Sequence, residues 1–407
     1  MLENPFEYYP GGGRITRFDE VDFKSKRVFL RVDFNVPMKD GKITDDTRIQ
    51  SVVPTIKELQ EKGATVVCAS HFGRPKGKVD PKYTLEPVAE RLGELLSADV
   101  LFADDSVGNA VIRQGKELRT GSVMVLENLR FHKGEEENSE TFATQLSQVA
   151  DIYVNDAFGA CHRAHASIDK LPRLFKIKVA GRLLEKEIAA MSQIMFKPHR
   201  PMVAVLGGAK VSDKVKVIES LMIKSSKILI GGAMSYTFLR ALNVSVGSSR
   251  VEADKINLAK KLLERAKESK CELVLPLDHV CGASFDKPGE PLVSLNAHIL
   301  DNSMALDIGP KTVELFKNSL EGAETIFWNG PMGVFEKPPF DKGTNEMAKF
   351  IGEHKAQTKV VGGGDSVAAV KKAGLEDGFT HVSTGGGAAL EMIEGVKMPG
   401  LEALKKV

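Results

Sequence analysis

Short runs of apolar and β-branched residues recur along the 407-residue chain, spaced far enough apart to leave room for a helix between them. The runs cover residues 27–34, 65–70, 100–102, 123–127, 152–155, 202–206, 227–230, 272–275, 325–328, 359–361 and 380–383. Most intervening segments have apolar residues at three- and four-residue spacing, which favours amphipathic helices. This alternation predicts an α/β fold in which parallel sheets are covered by helices on both faces.

The length of the chain bears on the number of domains, because a single hydrophobic core rarely serves more than about 250–300 residues. We predict two doubly wound, Rossmann-like parallel-sheet domains joined by a hinge helix. The expected divisions are an N-terminal domain at 1–182, the hinge helix at 183–198, a C-terminal domain at 199–390, and a segment at 391–407 that packs back on the N-terminal domain. An ordinary crossover helix is the alternative for 183–198. The first ~18 residues are expected to form a loose arm.

Composition argues against several classes of protein. The formal net charge is +2, so the chain lacks the global positive field typical of nucleic-acid-binding proteins. The four cysteines, at positions 68, 161, 271 and 281, form no CxxC pair, which favours a reducing compartment over a disulfide framework. We see no signal peptide and no apolar run long enough to span a membrane. We therefore expect a soluble cytoplasmic protein that binds neither nucleic acid nor membranes.

Basic side chains follow the apolar runs in the first half of the chain. They are Arg48, His71, Arg74, Arg130 and Arg163. Right-handed crossovers bring the carboxyl ends of parallel strands to one edge of a sheet, where ligands bind. Because arginine can bind a phosphate or carboxylate through two parallel hydrogen bonds, the set predicts a site for a small anion. A lone arginine is more often a surface ion-pair partner, so the argument depends on the whole set.

Two other features belong to the same half. Asp33 and Asn35 are two positions apart in the string RVDFNVP (31–37), so a strand would place both side chains on one face, where they could hydrogen-bond a substrate hydroxyl. His162 and His165 have a three-residue spacing that can bind metal. No third ligand is evident, and we expect structural roles for both histidines.

Glycines follow the apolar runs in the second half, in the strings LGGAK, IGGA, NGPMG, GGGDS and STGGGA. Glycine lets a backbone approach a ligand closely, and the free N–H groups at a helix start bind phosphates. This half is therefore expected to bind a nucleotide. Neither GxGxxG nor the P-loop pattern is present, so the glycines alone do not identify a cofactor.

Charged residues accompany two of these glycine strings. Ser212 or Asp213 could cap the helix that follows. Lys210 and Lys214 are four positions apart, so they would share a face if the helix had already begun before them. An anion between the two ammonium groups would offset the cost of placing cations at a helix N-terminus. Asp365 could cap the helix that follows GGGDS, or hold Mg²⁺ through its carboxylate.

Eight motifs of this chain together resemble the phosphoglycerate kinase family. They are RVDFNVP, SHFGRP, LENLRFH, NDAFGACHRAHAS, LGGAKVSDK, WNGPMGVFE, GGGDS and HVSTGGGAALE, and they occur in the family's order. The resemblance implies a monomeric two-lobed kinase of glycolysis and gluconeogenesis. Such an enzyme transfers a phosphoryl group reversibly from 1,3-bisphosphoglycerate to ADP, giving 3-phosphoglycerate and ATP, with Mg²⁺. The first domain would bind the phosphoglycerate and the second the nucleotide.

The resemblance also implies roles for individual positions. The substrate would lie on Asp33, Phe34, Asn35, Arg48, His71, Phe72, Gly73, Arg74, Arg130 and Arg163. The nucleotide would lie on Lys210, Lys214, Gly231, Gly232, Ala305, Asn329, Pro331, Val334, Glu336, Gly363, Gly364, Asp365 and Ser366, with Glu336 on the ribose and Asp365 on the metal. The catalytic groups would be Arg48, Lys210, Lys214, Gly385, Gly386 and Gly387.

Departures from the family pattern are few, and two other functions remain open from the residues alone. Ala305 stands where many relatives have glycine, Ser366 stands where others have threonine, and we assign no role to Cys161 or Arg182. A nicotinamide-dependent dehydrogenase would have two similar domains, but the glycine fingerprint and a histidine–carboxylate pair are missing. A non-enzymatic nucleotide or anion sensor would not need basic groups on both domains.

Overall fold

The computed structural model describes residues 6, 7, 9 and 13–406, which divide into two compact units. The first unit runs to Ala189 and includes the chain from Val396 onward, and the second unit is Ala190–Gly395. The helix Arg182–Phe196 covers most of the expected hinge segment, and the chain passes from the first unit to the second within it. Its action as a hinge stays a prediction.

The first unit is built on a six-stranded parallel sheet with strand order β5-β6-β4-β1-β7-β8. The strands, with a short hairpin of β2 and β3, are β1 (Arg27–Arg31), β2 (Met38–Lys39), β3 (Lys42–Ile43), β4 (Thr65–Ala69), β5 (Val100–Phe102), β6 (Val123–Val125), β7 (Ile152–Asn155) and β8 (Lys178–Ala180). Buried apolar residues such as Leu30, Cys68 and Val154 pair across the central strands and form the core. A parallel strand covered on both faces reads as a continuous apolar run, which is why the central strands could be predicted.

The helices of the first unit lie mostly between consecutive strands. They are α1 (Thr47–Glu61), α2 (Glu86–Leu96), α3 (Asn109–Glu117), α4 (Lys133–Glu136), α5 (Glu140–Ser147), α6 (Leu171–Leu174) and α7 (Arg182–Phe196). Single 3₁₀ turns occur at Phe18–Glu20, Pro81–Tyr83, Leu129–Phe131 and Phe158–Ala160, and a π-helical turn at Ala166–Lys170. Since the sheet extends from β1 in both directions, right-handed crossovers place helices on both of its faces.

The N-terminal arm is not loose where the structure describes it. Phe6 and Tyr9 are each only 5 % exposed, and the Tyr9 hydroxyl accepts a hydrogen bond from the backbone N–H of Met398 (2.6 Å). Farther along, Ile15 forms an antiparallel bridge with Lys405. Residues 1–5, 8 and 10–12 of the expected arm lie outside the described residues. The expectation is wrong for the described part because its aromatic side chains are buried.

Arg182 has a structural role that the sequence did not reveal. It donates to the carboxylates of Asp19 (2.9 Å), Glu58 (2.8 Å) and Glu185 (3.1 Å), and its guanidinium lies 4.7 Å from the centre of the Phe18 ring. Hydrogen bonds from Arg182 lower the pKa of both Asp19 and Glu58. The residue therefore joins the start of α7 to α1 and to the turn at 18–20.

The second unit has a six-stranded parallel sheet in the order β11-β10-β9-β15-β16-β17 and a three-stranded antiparallel sheet in the order β13-β12-β14. Its strands are β9 (Met202–Leu206), β10 (Lys227–Ile230), β11 (Glu272–Val274), β12 (His279–Gly282), β13 (Leu292–Val293), β14 (Met304–Ile308), β15 (Thr325–Asn329), β16 (Thr358–Gly362) and β17 (His381–Val382). The core beside the parallel sheet contains Trp328 of β15 packed with residues from the helices, such as Phe316 and Ile351. The prediction of two doubly wound parallel sheets is confirmed.

The helices of the second unit follow the same alternation. They are α8 (Val215–Met222), α9 (Met234–Ala241), α10 (Ile256–Glu268), α11 (Pro310–Leu320), α12 (Lys342–Glu353), α13 (Gly364–Lys372) and α14 (Gly387–Ile393), with 3₁₀ turns at Ala253–Lys255 and Glu376–Gly378. The last helix, α15 (Pro399–Leu404), belongs to the first unit. Within the described residues, no helix is both long and apolar enough to cross a membrane.

Candidate active site

The loop after β1 brings three predicted residues of the first unit together. The strand ends at Arg31, so Asp33 and Asn35 lie in the loop, and the expectation that they share a strand face is wrong. Arg48, in the first turn of α1, donates from Nη1 to both carboxylate oxygens of Asp33 (3.1 and 3.2 Å) and to the carbonyl oxygen of Asn35 (3.0 Å). Arg48 is half-exposed, so a ligand can reach it.

A buried asparagine holds the next two loops against this one. Asn128 is fully buried, and its Oδ1 accepts from the backbone N–H groups of Phe72 (3.1 Å) and Arg130 (3.0 Å). The backbone N–H of Gly73 donates to Asn35 Oδ1 (2.9 Å), and the Gly73 carbonyl accepts from Arg130 Nη1 (2.8 Å). The loops after β1, β4 and β6 are thus fixed to one another at the carboxyl edge of the sheet.

Arg130 carries hydrogen-bond donors that the described residues do not satisfy. Its side chain is 3 % exposed, yet Nε and Nη2 have no hydrogen-bond partner among the described residues. The nearest carboxylate, Glu136, lies 3.4 Å from Nε. Burial lowers the pKa of Arg130, Glu136 opposes this shift, and the neighbouring charges of Arg163 and Arg31 add to it. Unsatisfied donors on a buried guanidinium are costly, and an anion would relieve that cost.

The other predicted substrate residues differ in accessibility. His71 is 7 % exposed, Arg163 is half-buried and Arg74 is exposed. Phe34 and Phe72 belong to the apolar core of the unit, with 0 % and 6 % exposure. Their predicted contact with substrate can therefore involve little beyond their backbone.

The two histidines that follow β7 lie among arginines. The Arg163 Nε donates to His162 Nε2 (3.2 Å). Burial, reinforced by the charges of Arg130 and Arg31, lowers the pKa of His165 to about 3. Both therefore have neighbours consistent with the expected structural roles, and His165 is neutral at physiological pH.

The second unit has a cavity of about 230 Å³ at the carboxyl edge of its parallel sheet. It is lined by Gly208, Lys214, Asn329, Gly330, Pro331, Gly363, Gly364, Asp365, Ser366, Gly386, Gly387 and Leu390. The sheet extends in opposite directions from the adjacent strands β9 and β15, which end at Leu206 and Asn329. Ligands of open α/β sheets bind at such switch points.

Lys214 is the cation of this cavity. Its ammonium group donates to the backbone carbonyl of Asn329 (3.0 Å) and to the Asn329 side-chain oxygen. Burial lowers the pKa of Lys214 to about 8, although the carboxylates of Asp365 and Asp213 act in the opposite direction. At neutral pH the lysine is therefore mostly protonated, and above about pH 8 a bound anion would favour its ammonium form.

Close backbone packing forms the cavity floor. The backbone N–H of Gly330 donates to Ser366 Oγ (2.6 Å), and Asn329 Nδ2 donates to the carbonyl of Gly362 (2.8 Å). Gly330 has φ +99°, and a Cβ there would lie 2.3 Å from the Gly207 carbonyl oxygen. Only glycine fits this position, because it needs both the positive φ and the close approach.

Lys210 lies outside the cavity lining and is exposed. Helix α8 begins at Val215 without a side-chain cap, so both lysines precede it. The expectations of a shared helix face and of a Ser212 or Asp213 N-cap are therefore wrong. The Ser212 hydroxyl instead donates to Glu252 (2.6 Å).

The remaining predicted nucleotide residues lie near the cavity or in adjoining elements. Gly231 packs against the sulfur of Met332, and Gly232 against the backbone of Gly208. Ala305 is buried in an apolar cluster at the antiparallel sheet. The residue after it, Leu306, accepts a hydrogen bond at its carbonyl oxygen from the backbone N–H of Val334 (2.8 Å). Glu336 is exposed. Gly385 is buried, and its backbone N–H donates to Ser383 Oγ (3.1 Å). Their ligand roles stay predictions.

Sequence reasoning missed three residues that these sites contain, whereas Gly208 had been recognised as a close-approach glycine. Gly330 lies within a glycine string that was recognised, so its neighbours could have indicated it. Leu390 and Asn128 follow no phosphate-binding pattern, because an apolar lining residue and a loop-fixing amide are identified only by their contacts.

The structure thus defines a two-unit, doubly wound α/β protein with a basic cluster on one unit and a glycine-lined cavity on the other. The profile of the phosphoglycerate kinase family matches residues 18–396. Phosphoglycerate kinases of Anaeromyxobacter dehalogenans (strain 2CP-C) and Thermosipho africanus (strain TCF52B) are each 52 % identical to this chain. The alignments cover 95 % of it and 98 % and 96 % of those proteins.

Solved structures agree. Phosphoglycerate kinase from Coxiella burnetii superposes with a TM-score of 0.86 at 37 % identity, covering 96 % of this chain and 99 % of that one. The enzyme from Pyrococcus horikoshii gives 0.84 at 36 % identity, covering 96 % and 98 %. The chain belongs to the phosphoglycerate kinase family. It is accordingly a phosphotransferase whose acceptor is a carboxyl group.

Proposed function

We propose that this protein transfers a phosphoryl group reversibly from 1,3-bisphosphoglycerate to ADP, giving 3-phosphoglycerate and ATP, as a step of glycolysis and gluconeogenesis. The main support for a phosphoglycerate site is Arg130. Its guanidinium is buried, and two of its nitrogen atoms lack hydrogen-bond acceptors among the described residues. Phosphate and carboxylate oxygens are the acceptors that suit such donors. We place the phosphoglycerate on the basic cluster and the nucleotide phosphates in the cavity with Lys214.

Chemistry explains why no general base is needed. The attacking atom is a phosphate oxygen of ADP in one direction and a carboxylate oxygen in the other, and both are ionised at neutral pH. The difficulty is the mutual repulsion of several negative charges, which the enzyme meets by positioning and charge stabilisation. Arg48, Lys210 and Lys214 would supply the cations, and the N–H groups of Gly385–Gly387 would supply fixed dipoles.

Mg²⁺ suits the groups at the cavity. Asp365 is exposed and lines the cavity with Lys214 and Ser366. Mg²⁺ usually takes one or two carboxylates in addition to substrate phosphates, so a single aspartate is sufficient on the protein side. We propose that Asp365 holds the ion, which would neutralise phosphate charge when bound.

We further propose that the enzyme acts as a cytoplasmic monomer. The four cysteines are free and buried, as expected for a reducing compartment. The near-neutral net charge gives no support to partnership with nucleic acid.

Isotope exchange tests direct transfer. Labelled ADP should be converted to labelled ATP in a mixture with unlabelled ATP only when 3-phosphoglycerate is also present, because the phosphoryl group must move between the two substrates. Exchange at the same rate without 3-phosphoglycerate would indicate a phosphoenzyme and contradict direct transfer.

Substrates held by separate units must meet, so we propose that the units close on each other during turnover, with α7 as the hinge. Small-angle scattering should show a smaller radius of gyration with 3-phosphoglycerate and a non-hydrolysable ATP analogue together than with either alone. An unchanged radius at saturating concentrations of both would count against closure.

Nucleotide binding should consume protons above neutral pH. In the free protein the pKa of Lys214 is about 8, so the amine is largely neutral at ~pH 9, whereas bound phosphate favours the ammonium form. Calorimetry of ADP binding at ~pH 9 in buffers of different ionisation enthalpy should therefore reveal proton uptake, and affinity should fall as pH rises through this range.

The Lys214→Ala variant is the control for this titration. This variant should bind ADP more weakly and should take up no proton when it does so. Equal proton uptake by this variant and the wild type would assign the proton to another group.

A further inference from the structure

Arg31, the last residue of β1, is fully buried and takes no part in the proposed mechanism so far. Its Nε donates to Ser167 Oγ (2.8 Å), and its Nη1 donates to the carbonyl oxygen of Val32. Its Nη2 lies 3.3 Å from His71 Nδ1. One guanidinium thus connects the end of β1, the π-helical turn at Ala166–Lys170 and the loop after β4.

The direction of every hydrogen bond in this network can be assigned. Ser167 donates from Oγ to Glu135 Oε1 (2.6 Å) and from its backbone N–H to Oε2 (2.9 Å), so its hydroxyl oxygen is free to accept from Arg31. Glu135 is fully buried, with Oε1 3.9 Å from Arg31 Nη2, and balances the arginine charge. A guanidinium has donors only and keeps its proton, so at the contact with His71 it must donate.

We propose that Arg31 is a positioning residue that fixes His71 as the neutral tautomer with its proton on Nε2. An acceptor at Nδ1 leaves the ring only one place for its proton. Under the proposed function, on which this inference rests, His71 then offers the phosphoglycerate an uncharged N–H donor among charged arginines.

The charges around His71 also favour its neutral form. The cations that face it are Arg31, Arg130 and Arg163, with His165 as a further titratable neighbour, and the buried carboxylate of Glu135 is already bound by Ser167. Burial and these cations lower the pKa of His71 well below its ordinary value. A neutral donor therefore adds specificity to the cluster without adding to its repulsion.

Nitrogen NMR of the wild-type protein tests the tautomer directly. In protein labelled with ¹⁵N-histidine, the His71 signals, assigned by their loss in His71→Gln, should show an unprotonated Nδ1 and a protonated Nε2 that do not titrate between ~pH 6 and ~pH 8. A protonated Nδ1, or an imidazolium in that range, would overturn the proposal. This measurement requires no turnover, so its result does not depend on whether the proposed function is correct.

A conservative variant tests the role of Arg31. A lysine cannot reproduce the planar fork that serves Ser167, Val32 and His71 together. In Arg31→Lys the two tautomers of His71 should mix, and KM for 3-phosphoglycerate should rise about tenfold, as for a lost hydrogen bond, while KM for ATP is unchanged. Arg27→Lys is the matched control, because it is on the same strand and pairs with Asp151 (2.7 Å).

Two results of the variant experiment would overturn the assignment. One is an unchanged His71 tautomer in folded Arg31→Lys, and the other is an equal rise in KM for both substrates. If Arg31→Lys does not fold, a ¹⁵N–¹⁵N coupling across the hydrogen bond between Arg31 Nη2 and His71 Nδ1 in the wild type decides. Its presence supports the proposal, and its absence from a resolved spectrum contradicts it.

Discussion

Replacing Arg48 by alanine is expected to lower kcat by about 10²–10⁴-fold, as expected when a charge contact made in the transition state is lost. The half-exposed Arg48 guanidinium is held by Asp33 and by the carbonyl of Asn35. The contacts orient it without burying it, which leaves it accessible for the catalytic role that we propose. Steady-state kinetics with each substrate varied in turn measures the effect.

The split between kcat and KM separates catalysis from binding in this variant. An increase in KM for 3-phosphoglycerate with kcat retained would contradict a catalytic role and leave Arg48 as a binding residue. Arg113→Ala is the matched control, since Arg113 is an exposed arginine on α3, and its kinetics should equal those of the wild type.

Replacing Lys214 by alanine is expected to lower kcat/KM for ATP by about 10²–10³-fold, the range found when one stabilising donor is removed. The reason is the position of Lys214 in the cavity wall beside Asp365 and its two contacts with Asn329. Without the ammonium, the two oxygens of Asn329 lose a donor, and under the proposed function the transferred phosphoryl group would also lose a cation.

Lys216→Ala is the control for Lys214, because Lys216 is exposed two positions farther along, in α8. It should leave kcat/KM within about twofold of the wild type, as surface substitutions do. Melting temperatures should show whether both variants remain folded. If the Lys214→Ala enzyme is folded and has wild-type kcat/KM, the proposed contact between Lys214 and the phosphoryl group is wrong.

Much of the fold could be predicted because its central strands are buried on both faces. Runs such as 65–70 and 202–206 are apolar or β-branched except for Ser70, and they match β4 and β9 within a residue. The short edge strand β8 (Lys178–Ala180) and the antiparallel strands β12–β14 were missed. Strands β8, β12 and β13 have only three, four and two residues, and the buried Asp307 interrupts the apolar pattern of β14, so local sequence carries little of the signal.

The candidate sites, like the fold, could be predicted only in part. Arginines and glycines at strand ends could be recognised, because their chemistry is local. The environments of Lys214, Asn128 and Arg31 could not, since each depends on burial or on partners distant in the sequence. A sequence shows which groups can carry charge, whereas a lowered pKa or a fixed tautomer arises from the folded surroundings.

A coupled assay tests the central claim most directly. ATP, Mg²⁺ and 3-phosphoglycerate are mixed with the protein, and the acyl phosphate product is removed by glyceraldehyde-3-phosphate dehydrogenase, which consumes NADH. We expect NADH consumption that requires all three components and falls with Lys214→Ala but not with Lys216→Ala. Folded protein that binds ADP yet consumes no NADH would contradict phosphoryl transfer and indicate a nucleotide-binding sensor.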